Sequence, residues 1–101
     1  MTALVITLPA DARGDAERGK AKSQPCQACH GTDGNSESAA FPRLAGQHAD
    51  YIAEALAQYA DGRRQNAIMQ GFATPLSKQD RMDLGAFYAS QEGLKTLDIQ
   101  R

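Results

Sequence analysis

Cys26 and Cys29 are the only cysteines of the chain, and His30 follows the second at once, in the run Cys26-Gln27-Ala28-Cys29-His30. Two thiols three positions apart with an adjoining imidazole form the attachment pattern of a c-type haem. Each thiol can add to one haem vinyl group to form a thioether, and the imidazole then stands under the iron as its proximal ligand. Rival chemistries need partners that the sequence scarcely supplies. A closed zinc site takes four ligands, and His48 is the only other histidine or cysteine available. A redox dithiol of the thioredoxin kind follows a strand in a βαβ pattern, and no strand pattern precedes Cys26.

An attached haem needs a sixth iron ligand or leaves an open face. The candidates beyond the N-terminal arm are Met69, Met82 and His48. Met82 falls in the first turns of an expected helix, where methionine usually packs. His48 lies at a helix start close to His30 in the chain, which makes a crossing to the far face difficult. Met69 sits in a Gly/Pro-containing segment able to carry a thioether over the opposite face. A neutral thioether favours ferrous iron and raises the reduction potential. Lys20, Lys22, Arg63 and Arg64 could rim an exposed haem edge or pair with propionates, and Arg63 is the expected propionate contact.

These residues must be positioned by helices. After Val5 there is no valine and no clean alternation, so strands are not expected. A first helix is expected over about 15–24, with Pro25 dividing it from the motif. A second, over about 49–60, carries Tyr51, Ile52, Ala55, Leu56 and Tyr59 on one stripe and stops at Gly62. A third, over about 78–91, opens with a Ser77–Asp80 capping box and buries Leu84, Phe87 and Tyr88. The connecting stretches 31–47 and 62–76 read as long irregular loops, whose order would come from wrapping a flat cofactor.

Bulk properties agree. The 101 residues suffice for one domain, and the formal net charge of −1 offers no basic field for nucleic acid. Eighteen residues are alanine, and from Arg13 onward only 17 are Leu, Ile, Met, Phe or Tyr. That is a thin core for a domain of this size, and a buried macrocycle would supply apolar mass. No run approaches the ~20 apolar residues of a membrane span. Residues 1–12, MTALVITLPADA, look like the end of a secretory signal without a basic start; a non-native extension or a true arm are the alternatives. The haem domain is expected over 13–101.

From Gly14 onward the sequence resembles a bacterial class I cytochrome c, similar to a single domain of dihaem cytochrome c4 and to the small cytochromes c-553. The resemblance rests on GDAERGKAKSQPCQACHGTDGNS (14–36), FPRLAGQHADYI (41–52), DGRRQNAIMQGFATPLSKQD (61–80) and LGAFYASQ (84–91). It implies an all-α single-domain fold in which the N- and C-terminal helices cross and loops wrap one covalent haem. It implies Met69 as the axial thioether and the Pro42 carbonyl as partner of the His30 ring. It places Gly19 at the helix crossing, under Leu84 and Phe87. Gly85 departs from the alanine common in the last helix. The function implied is a non-enzymatic, monomeric, periplasmic carrier of single electrons between redox proteins, soluble or membrane-bound. The alternatives are a catalytic or ligand-sensing haem domain with an open sixth position, and an electron-input subunit of a larger oxidoreductase complex.

Overall fold

The computed structural model describes residues 14–36 and 42–93. Five helices follow one another: α1 (Ala16–Lys22), α2 (Gln24–His30), α3 (Ala49–Asp61), α4 (Ala67–Ala73) and α5 (Lys78–Ala89). Among the described residues there is no strand, as expected. The N-terminal arm and the segment after Gly93 lie outside the described residues.

The helix ends follow from local chemistry. Asp15 caps α1 by accepting the Arg18 N–H (3.0 Å). Glu17 in the first turn and Lys20 and Lys22 in the last complement the helix dipole. Gly62 ends α3 with φ +86°, a left-handed conformation that costs glycine nothing. The expected capping box opens α5: the Asp80 N–H donates to Ser77 Oγ (3.0 Å), and the Ser77 N–H to Asp80 Oδ2 (2.9 Å).

Two elements depart from expectation. The first helix stops at Ser23, and a new one starts at Gln24 with Pro25 in its first turn. A proline there loses no hydrogen bond, because the N–H it lacks would have no helical acceptor. The CxxCH motif therefore rides on a helix of its own. The stretch 62–76 is likewise interrupted by α4, which Asn66 caps by accepting the Met69 N–H (3.0 Å). Met69 stands on the first turn of this helix rather than in a loop. At the far end, α5 stops at Ala89, and the Ser90 N–H bonds back to the Ala86 and Phe87 carbonyls.

Helix α5 is the hub, packed against α1 on one side and α3 on the other. Both crossings are close enough to demand glycine. At Gly19 an added Cβ would drive into the Asp83 carbonyl and approach Phe87 Cβ to 2.8 Å. At Gly85 it would meet the Ala49 carbonyl oxygen at 2.5 Å. The buried core is small: Ile52, Leu84, Phe87 and Tyr88. The Phe87 and Tyr88 rings meet edge-on, with centroids 4.9 Å apart.

A buried carboxylate ties α1 to α5. Asp83 is fully shielded from solvent. It accepts hydrogen bonds from the Asp15 N–H (2.8 Å), Arg18 Nε (3.0 Å), Lys22 Nζ (2.6 Å) and Gln79 Nε2 (2.8 Å). Burial works to raise its pKa, but these donors more than offset it and hold the carboxyl well below the usual aspartate range.

Candidate cofactor site

Helix α2 presents Cys26 and Cys29 one turn apart, so both thiols share a face. Both are half-buried and free of disulfide. Burial pushes the Cys26 thiol up, opposite to the depressed pKa that activates a redox dithiol. His30 closes the helix and is buried. Its Nδ1 lies 2.8 Å from the Pro42 carbonyl oxygen. A carbonyl only accepts, so Nδ1 carries the proton, the tautomer in which Nε2 is the ligating nitrogen. Among the described residues no three His, Cys, Asp or Glu side chains gather to hold a metal ion by themselves.

Cys26, Cys29, His30 and Pro42 form one wall of a cavity of about 500 Å³. Sites for small molecules and cofactors commonly enclose ~300–1,000 Å³. The lining also includes Tyr51, Ile52, Leu56 and Tyr59 of α3 and Ile68, Met69 and Phe72 of α4. Met69 thus stands in the same cavity as His30, although 39 positions separate them. His48 and Met82 are absent from the lining. Among the described residues, His30 and Met69 are its one imidazole and its one thioether.

The lining also tests whether a flat apolar group fits. Among the described residues, Tyr51, Ile68 and Phe72 are the large hydrophobic side chains left exposed, at 49%, 65% and 46%, and all three line the cavity. A macrocycle seated there would cover them. The Tyr88 hydroxyl, in the same wall, is buried without a hydrogen-bond partner among the described residues, and burial pushes its pKa up. The thin core read from the composition is thus an incomplete one, open on the side where Cys26, Cys29 and His30 stand.

Arg63, the expected propionate contact, is turned away from this cavity. Its Nε bonds Asp61 (2.7 Å) and its Nη1 bonds Glu54 (3.3 Å) on the exposed side of α3. Arg64 is the arginine of the pair that lines the cavity. Asp61, two positions before Arg63, is the local signal that separates them, because a short acidic side chain at that distance captures the nearer arginine.

A comparison with known proteins extends across this whole arrangement. The cytochrome c family profile matches residues 16–92. Cytochrome c4 of Pseudomonas aeruginosa is 44% identical over 96 residues, covering 91% of this chain and 48% of that protein. Cytochrome c-554(548) of Halomonas halodenitrificans is 43% identical over 82 residues, covering 78% of this chain and 99% of that protein. The solved structure of reduced recombinant cytochrome c4 from Pseudomonas stutzeri superposes with a TM-score of 0.76 at 41% identity, over 80% of this chain and 47% of that one. The chain spans about half the length of the cytochrome c4 relatives it matches. With the profile running from α1 through α5 and taking in the entire cavity, the chain belongs to the cytochrome c family, and one covalently bound haem c is its cofactor.

Proposed function

We propose that this chain is a non-enzymatic, one-electron carrier whose haem is held by Cys26 and Cys29 and ligated by His30 and Met69. The observation that carries the reading is the composition of the cavity: one imidazole and one thioether, brought together from α2 and α4. The haem supplies reversible one-electron chemistry at iron. The chain's own residues determine how that chemistry is used. The Pro42 carbonyl holds the His30 ring by its Nδ1–H and increases its basicity as a ligand. Met69, with its backbone fixed by the Asn66 cap, would hold the iron where oxygen or a substrate could otherwise bind. With His30 and Met69 both holding the iron, the site would favour electron transfer over catalysis.

The haem domain corresponds in this reading to residues 13–101. Partners would be redox proteins, including a membrane-bound oxidase or reductase. No described helix is long and apolar enough to cross a membrane. Haem attachment of this kind belongs outside the cytoplasm, and the reading places the protein in the periplasm.

The test is a spectroscopic redox titration of the haem-loaded protein, with carbon monoxide added to the reduced form. A single reversible one-electron transition and no rapid carbon monoxide binding are expected. Rapid binding would mean an open sixth position and would support a ligand-sensing or catalytic domain instead.

A further inference from the structure

Tyr88 is the largest fully buried side chain among the described residues, with 1% of its surface exposed. Its place is fixed from two directions. A Cβ added at Gly34 would lie 2.7 Å from ring Cδ1. The Tyr88 carbonyl accepts the Gly46 N–H (2.9 Å) and the Gln91 N–H (3.1 Å). Tyr88 thereby joins α5 to the segment whose Pro42 carbonyl holds His30.

The Tyr88 hydroxyl has no hydrogen-bond partner among the described residues. A hydroxyl buried in that way is a net loss to the fold. Phenylalanine, which stands next to it at position 87, would fill the space without the loss. A native orphan of this kind calls for an acceptor that arrives with a ligand. The hydroxyl belongs to a residue lining the haem cavity.

Two polar side chains, Ser23 and Cys26, lie close enough to act on the hydroxyl, and neither meets it in hydrogen-bonding geometry. Ser23 is already engaged: its Oγ donates to the Lys20 carbonyl (2.8 Å) and accepts from Gln27 Nε2 (3.2 Å). Cys26 packs against the core cluster that contains Tyr88 and lines the cavity with it. A thiol carries its own proton and is itself a weak donor. Addition across a haem vinyl group moves that proton to carbon as the S–C bond forms, with no oxidant or reductant consumed. The sulfur then offers lone pairs alone, so it can only accept.

We propose that the Tyr88 hydroxyl donates a hydrogen bond to the Cys26 thioether sulfur of the haem-loaded protein and so acts as a positioning residue for the attached haem. The proposal rests on the haem reading above. A donor aimed at that sulfur draws electron density from the edge of the macrocycle and favours ferrous iron. Hydrogen bonds around a haem are among the levers that set its potential.

The experiment records resonance Raman spectra of haem-loaded wild type and Tyr88→Phe in H2O and after full exchange into D2O, with the oxidation state followed at fixed solution potential. The wild-type C–S stretching band should move on exchange, and that of Tyr88→Phe should not. Tyr88→Phe keeps the ring, and its ratio of oxidised to reduced protein should rise about two-fold at the wild-type midpoint. A wild-type C–S band indifferent to D2O overturns the proposal, and that measurement needs no variant to fold. An isotope shift that persists in Tyr88→Phe overturns it too, because the donor would then be another group. A lower melting temperature of Tyr88→Phe with the wild-type potential also overturns it, because Tyr88 would then only pack. Wild-type protein lacking covalent haem in a pyridine haemochrome assay would instead overturn the reading beneath it.

Discussion

Replacing Asp83 by asparagine should cost about 2–3 kcal/mol at neutral pH and progressively less in acid. The carboxylate has no solvent exposure and accepts donors from both α1 and its own helix. Removing one partner of a buried ion pair typically costs ~3–5 kcal/mol. The Arg18 and Lys22 side chains are 39% and 30% exposed. Both can turn to water once the charge is gone, and Lys22 retains Asp80 at 2.8 Å, so the lower figure applies. The pH dependence follows from the depressed pKa. Such a carboxylate contributes its full stability above the ordinary value of 3.8 and loses it as pH falls through the lower, folded value. Asparagine does not titrate, so the gap between the two proteins should narrow below about pH 4. Urea unfolding of both haem-loaded proteins, followed by circular dichroism because the chain has no tryptophan, measures the gap at each pH. A difference under about 0.5 kcal/mol at neutral pH, or a difference that stays constant into acid, would refute the argument.

Four further outcomes are expected. Gly19→Ala, whose Cβ has no room against the Asp83 backbone, should cost more than about 3 kcal/mol. Gly71→Ala on α4, where an added Cβ meets nothing within 4 Å, should be neutral or stabilising by up to about 1 kcal/mol; thermal melts of the two variants give the contrast. Ser77→Ala removes one half of the capping box and should lower stability by about 1 kcal/mol, read as a urea midpoint shift at unchanged slope. The double variant Cys26→Ser, Cys29→Ser should release its haem on acid–acetone extraction, and haem that stays bound would contradict the assignment of the thiols.

What could be read in the sequence was local. The CxxCH run, the stripe on α3 and the Ser77 capping box are each contained within a few residues, and each carries its own geometric consequence. Helix α2 escaped because Pro25 reads as a breaker until one sees that it occupies a first turn. Helix α4 escaped because it is short, carries Gly71 and has only the Asn66 cap to announce it. Asp83 gives no local sign at all: it follows Asp80 and Arg81 at the charged start of its helix, and its donors from α1 and the α1 cap are 61 to 68 positions away in the chain. The choice between Arg63 and Arg64 turns on which way adjacent side chains face, and that is settled by where α3 ends. Gly85 looks like a substitution of no consequence until the Ala49 carbonyl is found beside it.

The account turns on Met69 as the ligand opposite His30, and the far-red methionine-to-iron charge-transfer band of the oxidised protein tests it most directly. The band should be present in wild type, lost in Met69→Ala, and retained in Met82→Leu and His48→Ala. A band that survives Met69→Ala, or is missing from the wild type, would contradict it.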